Sequence, residues 1–184
     1  VDDLFQNSIS AATQLCAVYG QPILHSGSPA MHNPALAKLG LDWRYLAFEV
    51  SPDALDQAIE GARAMHFVGL NLTVPHKLLA VDLVDVLDES ATNWGAVNTI
   101  CFETKNDSGD WTSLGQLPDP ATGEIRAKGY NTDAEAITLA LRKDLGLNLA
   151  GQRVLLLGVG GAGRVAALKL AAEGISELYL VNRT

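Results

Sequence analysis

Apolar residues along this 184-residue chain follow two alternating spacings, which predict strands and helices in turn. Short continuous apolar runs, typical of buried strands, occupy residues 14–19, 43–50, 67–74 and 95–102. Helical spacing follows the first three runs, over residues 28–39, 51–62 and 76–87. A regular exchange of strands and helices favours an α/β fold.

The first helix has two candidate starts. Ser28 and Asn33 each precede a proline, which is preferred at the first helical position, so either side chain is a candidate N-cap. Gly40 supplies the C-terminal stop. The composition then changes between Glu103 and Lys128, where Gly, Asp, Pro and Ser interrupt the apolar periodicity. This segment predicts a hairpin excursion or a mobile loop on the surface.

Helical spacing returns over residues 132–145, and this helix is expected to connect two lobes. Its predicted buried face is formed by Ala136, Leu139, Ala140 and Leu145. The run at 153–159 is apolar without alternation, as expected of a parallel strand covered on both faces. A glycine-rich turn, a helix at 162–173 and a strand at 177–182 complete one predicted βαβ unit.

Charge and residue usage limit the partners. The chain has 13 Lys and Arg against 21 Asp and Glu, a net charge of −8, so nucleic-acid binding is not expected. The first residues lack the features of a signal peptide and no apolar run has the length of a membrane span, so we expect a cytoplasmic protein without a membrane partner. Cys16 and Cys101 favour buried reduced thiols, and the four histidines show no metal-ligand spacing, so no metal site is predicted.

Residues 158–163 satisfy the pattern G-x-G-x-x-G between a predicted strand and a predicted helix. A plain tight turn is the alternative, but this context favours a dinucleotide site. Gly158 permits the turn, Gly160 lets the backbone approach a pyrophosphate, and Gly163 allows the helix to pack on the strand. The candidate cofactor-binding residues in this turn are Gly158, Gly160, Gly161, Ala162 and Gly163.

The second strand of the unit ends in Asn182, Arg183 and Thr184, where an NAD-specific fold usually carries an acidic residue. A carboxylate would repel a ribose 2′-phosphate, whereas a guanidinium offers it paired donors and a hydroxyl adds another. A surface arginine is the alternative. The position relative to the glycines favours NADP over NAD as the cofactor.

Four polar clusters lie at the ends of predicted strands ahead of this unit. They are His25–Pro29, Asn71–Lys77, Ala96–Thr99 and Gly129–Asp133. Because strand ends form the ligand crevice of an open α/β sheet, the four clusters can surround one small polyol.

Within these clusters, the hydroxyls of Ser26 and Ser28 suit a carboxylate, and the amides of Asn71 and Asn98 suit substrate hydroxyls. Lys77 with Asp133 is a candidate proton-transfer pair. Each residue also has a structural alternative: Ser28 and Asp133 as helix caps, the asparagines as partners of strand-end backbone, and Lys77 as a solvated side chain.

Six motifs in this order, HSGSPAMHN, GLNLTVPHK, GAVNT, GYNTD, GVGGAGR and VNRT, make the chain resemble the shikimate dehydrogenase family. The resemblance runs from about residue 15 to 184 and implies NADP-dependent, reversible reduction of 3-dehydroshikimate to shikimate in aromatic amino-acid biosynthesis. It implies that Lys77 is the catalytic acid/base, assisted by Asp133. The implied substrate contacts are Ser26, Ser28, Asn71, Thr73, Asn98 and Asp133.

The sequence therefore predicts a substrate-binding α/β domain with a mixed, mostly parallel sheet at 1–130, a connecting helix at 131–148, and at 149–184 the first βαβ unit of an incomplete Rossmann-like NADP-binding domain. The family's chain continues beyond the Asn-Arg-Thr motif, so one or both ends are expected to have been trimmed. Three alternatives stay open: a quinate/shikimate dehydrogenase of broader specificity, the more distant methylenetetrahydrofolate dehydrogenase, and a catalytically silent fragment that binds substrate. The chain is expected to be a monomer or a homodimer.

Overall fold

Most of the apolar runs form the centre of a seven-stranded mixed sheet. The computed structural model describes residues 9–117 and 121–183. The strands of this sheet are β1 (Gln14–Gly20), β2 (Trp43–Glu49), β3 (Gly69–Leu72), β4 (Val86–Leu87), β5 (Thr99–Lys105), β6 (Trp111–Ser113) and β7 (Ile125–Tyr130). Their order is β2-β1-β3-β5-β7-β4, with β6 paired to β5.

The pairing directions decide which strand ends meet. β1 pairs in parallel with β2 and β3, and β4 pairs in parallel with β7. β5 is antiparallel to β3, β6 and β7. The beginning of β5 therefore lies beside the carboxyl ends of β3 and β7, with Thr99 opposite both Asn71 and Tyr130. This reversal brings the polar residues around Asn98 to the same edge as those that follow the other strands.

Helices α1 (Ser28–Lys38), α2 (Leu55–Ala64), α3 (Glu89–Trp94) and α4 (Asp133–Leu145) accompany this sheet. The main core includes residues of α2 packed with apolar residues of β3, β5 and β7. Its fully enclosed side chains include Leu55, Ile59, Val97, Ile100 and Phe102. Burial of these large apolar groups supplies the main favourable free energy of folding and gives the polar edge a rigid support.

Neither predicted N-cap caps α1. The helix begins after Gly27, without a side-chain cap, and Ser28 is its first residue. Asn33 lies inside the helix, where its amide donates to the carbonyl of Tyr45 at 2.9 Å and accepts from the Tyr45 N–H at 2.9 Å. These paired bonds attach α1 to β2, which explains why a residue that resembles a cap occurs there.

The helix predicted at 76–87 was wrong. This segment contains turns, a short 3₁₀ helix at Leu79–Asp82, and β4. The carbonyl of Lys77 accepts from Val97 N at 2.8 Å rather than from a helical turn of its own segment. The apolar pattern did not predict α3, which Asp88 caps by accepting from Ser90 N and which Gly95 ends at φ +61°. The strand predicted from 95 consequently begins at Thr99.

The segment between Glu103 and Lys128 is a hairpin that contributes to the core, not a surface excursion. β5 runs on to Lys105, and β6 and β7 pair with it. Leu114 and Ala127 are buried in the main core. Their apolar positions are separated by turns, so no single stretch has a recognisable period. Residues 118–120 of this segment lie outside the described residues.

The remaining elements are β8 (Arg153–Leu157), α5 (Gly161–Ala172) and β9 (Glu177–Val181), with β8 and β9 paired in parallel. This agrees with the predicted βαβ unit. Two burial predictions were wrong. β8 is not covered on both faces, since its residues alternate between half-buried and exposed. The four apolar residues expected on the buried face of α4 are exposed, and Ala134 and Thr138 are buried instead. No helix among the described residues is long and apolar enough to cross a membrane.

Candidate active site

A lysine and a carboxylate meet at the polar edge of the large sheet. Lys77 lies in the turns that follow β3, and Asp133 is the first residue of α4. Lys77 Nζ donates to Asp133 Oδ2 at 2.6 Å, and the two side chains are 15% and 24% exposed. A charge-assisted bond of this length, partly shielded from solvent, holds the ammonium in one place while leaving it accessible to a small molecule.

The other oxygen of Asp133 is held by Asn98, whose Nδ2 donates to Oδ1 at 2.7 Å. The backbone of Asp133 is fixed as well. Asn131 Oδ1 accepts from the N–H groups of Asp133 and Ala134 at 3.1 and 3.2 Å, and Asn131 Nδ2 donates to the Ala96 carbonyl at 3.0 Å. Asn131 thus acts as a side-chain acceptor at the start of α4 and orients the carboxylate toward Lys77.

The amide of Asn98 makes five hydrogen-bond contacts within the protein, of which the longest joins its Oδ1 to Thr132 Oγ1 at 3.3 Å. Its Nδ2 donates to Thr132 Oγ1 at 2.9 Å as well as to Asp133. Its Oδ1 accepts from Thr132 N at 3.0 Å and from Thr99 Oγ1 at 3.1 Å. A substrate hydroxyl that bound Asn98 would have to replace one of these contacts.

Asn71 is held from two sides. Its Nδ2 donates to Thr99 Oγ1 at 3.0 Å and to the Asn98 carbonyl at 3.4 Å. Its Oδ1 accepts from the Tyr45 hydroxyl at 2.7 Å. Both amide protons are therefore used, and one lone pair of Oδ1 remains for a ligand. Burial raises the pKa of Tyr45, so the phenol stays protonated and remains a donor.

The two serines lie at the N-terminus of α1. Ser28 N donates to Ser26 Oγ at 3.3 Å, and His32 Nδ1 contacts the Ser28 carbonyl at 3.0 Å. The His32 ring stacks on the ring of Tyr45, with centroids 4.2 Å apart and planes 6° apart. Tyr45 therefore contacts His32 of α1 through its ring and Asn71 through its hydroxyl.

Thr73 follows β3 and lies close to the end of β1. Its N–H donates to the Tyr19 carbonyl at 2.9 Å. A Cβ at Gly20 would come within 2.4 Å of Thr73 Cγ2, so only glycine leaves room for this side chain. The close approach fixes Thr73 beside the other polar residues.

A cavity of about 240 Å³ lies against the sheet next to these side chains. Its lining includes Cys16, His32, Tyr45, Asn71, Thr99 and Cys101. Burial raises the pKa of Cys16 to about 11 and also raises that of Cys101. Both thiols are therefore protonated at neutral pH, as expected of structural cysteines and not of nucleophiles.

The glycine-rich turn has the geometry of an anion cradle. Gly158 has φ +95°, a conformation that favours glycine, and its N–H donates to the Val181 carbonyl at 2.7 Å. Gly160 precedes the first residue of α5, and a Cβ there would meet nothing within 4 Å. A Cβ at Gly163 would lie 2.1 Å from Gly158 O. The turn is thus open on the side of Gly160 and closed on the side of Gly163, which fits a pyrophosphate at the helix N-terminus.

The second strand of this unit reaches the turn through Asn182, whose Oδ1 accepts from Val159 N at 3.2 Å. This places the end of β9 beside the glycines, and the adjoining Arg183 is exposed. Thr184, the last predicted cofactor contact, lies outside the described residues. Among the described residues, no group of three or more His, Cys, Asp or Glu is arranged to hold a metal ion.

The turn also lies close to the ion pair. A Cβ on Gly161 would be 3.5 Å from Lys77 Cβ, so the start of α5 lies directly beside the Lys77 side chain. Farther along α5, Lys169 contacts Glu135 of α4 at 2.5 Å and Glu173 at 2.9 Å. The pair with Glu135 connects α5 to α4, whereas the pair with Glu173 lies at the end of α5 itself.

The structure thus brings Lys77, Asn71, Asn98 and Asp133 into one hydrogen-bonded group, with His32 of α1 joined to it through Tyr45. The motifs predicted no function for Tyr45, Thr99, Asn131 or Thr132. Thr99, Asn131 and Thr132 lie within the four polar clusters at strand ends, so their positions carried a signal. Tyr45 lies inside an apolar strand, and the pairing of β1 with both β2 and β3 in the folded sheet brings it close to Asn71.

An α/β domain whose strand edge carries a lysine–carboxylate pair, with a glycine-rich turn beside it, is typical of dinucleotide-dependent enzymes. Comparison with known proteins narrows this class. Residues 18–100 match the family described as shikimate dehydrogenase substrate binding domain. NADP(+) shikimate dehydrogenase from Methanopyrus kandleri is 41% identical over 177 residues, which are 96% of this chain and 54% of the relative.

Solved structures agree with this relationship. Shikimate dehydrogenase from Aquifex aeolicus has a TM-score of 0.78 at 35% identity, covering 96% of this chain and 58% of that one. The Thermus thermophilus enzyme in complex with shikimate has a TM-score of 0.72 at 37% identity, covering 93% and 57%. The chain is therefore similar to shikimate dehydrogenases along nearly its whole length, and it spans about half the length of the curated relatives it matches.

Proposed function

We propose that the protein to which this chain belongs catalyses the NADP-dependent, reversible reduction of 3-dehydroshikimate to shikimate. The observation that carries the proposal is the Lys77–Asp133 pair, held at 2.6 Å beside the glycine-rich turn. The relatives named NADP(+) shikimate dehydrogenases support it. NADPH, when bound, supplies a hydride for the ring ketone. The residues of this chain bind and orient the ring and move the proton.

In this proposal, Lys77 donates a proton from Nζ to the oxygen of the ketone as that oxygen gains negative charge. Asp133 holds Nζ in place and stabilises its positive charge. Asn98 in turn holds Asp133, so the pair is set before substrate arrives. Such preorganisation favours the transition state, because no group has to reorient when charge develops.

The remaining site residues bind the two ends of the substrate. Ser26 and Ser28 take the carboxylate, and Thr73, Asn71 and Asn98 take ring hydroxyls. Asp133 also contacts a ring hydroxyl as well as Nζ. This assignment is supported by Tyr45, which stacks on His32, one turn along α1 from Ser28, and donates to Asn71.

For the cofactor, the proposed contacts are the backbone at Gly158, Gly160, Gly161, Ala162 and Gly163, followed by Asn182, Arg183 and Thr184. The open side of the turn at Gly160 fits the pyrophosphate, and Arg183 fits the 2′-phosphate. In this proposal, residues 1–130 form the substrate domain, 131–148 the connection and 149–184 the start of the nucleotide domain. We place the protein in the cytoplasm, as a monomer or homodimer.

The test is oxidation of shikimate by the purified chain with NADP+, together with calorimetric binding of shikimate. Lys77→Met removes the ammonium but keeps the length of the side chain, and we expect kcat to fall about 10²- to 10⁴-fold with little change in KM. Lys105→Met, at the far end of β5 beside Trp111, is the matched control and should keep wild-type turnover.

Unchanged kcat in Lys77→Met would disprove the assigned role. Binding of shikimate without turnover would instead support the alternative of a silent substrate-binding fragment. Comparable turnover of quinate and shikimate would support the broader quinate/shikimate activity.

A further inference from the structure

The donor and acceptor of each hydrogen bond around Asn98 can be assigned, because its side-chain amide lies between a group that can only accept and a group that can only donate. Asp133 Oδ1 is a carboxylate oxygen, so the group 2.7 Å from it must be the NH₂ of Asn98. The other end of that amide faces the N–H of Thr132 and must be the oxygen. In the same way, the group of Asn71 that faces the Asn98 carbonyl must be its NH₂.

Thr99 stands between these two amides. Its Oγ1 lies 3.0 Å from the NH₂ of Asn71 and 3.1 Å from Oδ1 of Asn98. Because one neighbour can only donate and the other can only accept, the Thr99 hydroxyl must accept from Asn71 and donate to Asn98. Every bond from Tyr45 through Asn71, Thr99 and Asn98 then donates toward Asp133.

The backbone explains why a threonine at this position can reach both amides. Thr99 is the first residue of β5 and faces Asn71 across an antiparallel pairing. Asn98 is its chain neighbour. A hydroxyl on a short β-branched side chain is held in few rotamers, so it joins the two groups at little cost in conformational entropy.

We propose that Thr99 is a positioning residue, whose hydroxyl fixes the amide orientations of Asn71 and Asn98 and thereby keeps Asp133 aligned with Lys77. This inference rests on the proposed function. Bonds that all run in one direction polarise one another, so removal of the central hydroxyl weakens those on either side. Thr99 itself needs no contact with substrate.

The experiment compares Thr99→Val with Thr99→Ser in the full chain. Valine has the shape of threonine and suits a strand, so the fold is kept while the hydroxyl is lost. Serine keeps the hydroxyl. Thr104→Val is the matched control, because Thr104 lies on the same strand and its hydroxyl donates to the Glu124 carbonyl at 2.8 Å, away from the site.

The first readout is NMR exchange of the side-chain NH₂ groups of Asn71 and Asn98 without substrate. We expect about tenfold faster exchange in Thr99→Val, and wild-type rates in Thr99→Ser and Thr104→Val. The second readout is shikimate affinity by calorimetry. We expect a Kd about tenfold higher in Thr99→Val and within about twofold of wild type in the other two variants.

The outcomes separate the two proposals. Unchanged exchange rates and affinity in Thr99→Val would overturn the positioning role. Equal losses in Thr99→Val and Thr104→Val would also overturn it, since they would indicate a general loss of strand stability. If wild-type chain does not bind shikimate, the proposed function fails, and the NMR exchange still decides whether Thr99 orients the amides.

Discussion

His76 precedes the candidate acid and is fully enclosed, at 0% exposure. Its Nε2 contacts the Val50 carbonyl at 2.9 Å, and its Nδ1 has no hydrogen-bond partner among residues 9–117 and 121–183. Burial lowers the pKa of His76 because the charged ring would lose its hydration, and this outweighs the opposing effect of the Val50 carbonyl. The imidazole therefore stays neutral in the folded protein under conditions that protonate it in the unfolded chain.

A pH-dependent stability follows from the lowered pKa of His76. Above its unfolded pKa of about 6.5 the ring is neutral in both states and has no effect. Below that pH the unfolded chain binds a proton that the folded protein rejects, so the free energy of unfolding falls by up to about 1.4 kcal/mol per pH unit. His76→Phe should remove this part of the decline.

The measurement is urea unfolding at pH 7.5 and 5.5, values chosen on either side of about 6.5. The quantity compared is the difference between the two pH values, because the substitution also changes packing. His25→Phe, at an exposed histidine, should keep the wild-type decline. An equal decline in His76→Phe would show that this ring does not carry the effect.

Individual site residues were predictable where chemistry and spacing coincide. Lys77 and Asp133 were paired from their motifs, and the structure places them 2.6 Å apart. The roles of Tyr45 and Thr99 were not predictable, because each depends on a neighbour from another strand. Hydrogen-bond direction is likewise a property of the assembled group, and no sequence pattern records it.

At the scale of elements, the turn between β8 and α5 depends on two glycines for different reasons. Gly163 has no room for a side chain, since its Cβ would lie 2.1 Å from Gly158 O. Gly160 has open space around it and ordinary φ of −73°. A methyl group at Gly163 would force the backbone to move. A methyl group at Gly160 would instead occupy the space of a bound phosphate.

Gly163→Ala is therefore expected to destabilise the fold by about 1–3 kcal/mol, the usual cost of overpacking against rigid backbone. Gly160→Ala should leave stability within about 0.5 kcal/mol of wild type, as surface substitutions do, but weaken binding of NADP+. Thermal unfolding and calorimetric titration measure the two effects. Equal stability losses in both variants would contradict this division between the glycines.

Elements with regular periodicity were predicted well, and those set by distant contacts were not. β1, β2, α2, α5 and β9 match the apolar pattern within a few residues. The prediction of a helix at 76–87 was wrong because the Lys77 carbonyl accepts from the Val97 N–H and not from its own segment. The hairpin of β5 to β7 was underestimated because its buried residues come from three short elements, none long enough to show a period.

At the scale of the whole molecule, the two sheets are supported unequally. The larger sheet has a continuous core, whereas β8 and β9 form a two-stranded sheet with large apolar side chains in solvent. Leu155 and Leu157 are 61% and 73% exposed. An isolated pair of strands is only marginally stable, and here the contacts of α5 with α3 and α4 must hold it.

We expect backbone amides in β8 and β9 to exchange hydrogen at least about tenfold faster than those in β1 and β3, because local opening exposes little additional apolar surface. Hydrogen exchange followed by mass spectrometry resolves these strands. Equal protection in both sheets would mean that the exposed leucines are covered in solution, and sedimentation at two concentrations would show whether a second copy covers them.

The bonds already made by Asn71 limit the regiochemistry of the ligand. Its two amide protons are used by Thr99 and the Asn98 carbonyl, and Tyr45 takes one lone pair of its oxygen. A ring oxygen next to that atom must bring its own proton, because a carbonyl there would place lone pair against lone pair. In the proposed function the ring oxygen at Lys77 instead meets the Nζ donor, so the hydrogen-bond polarity of the two residues favours a hydroxyl beside Asn71 and the ketone beside Lys77.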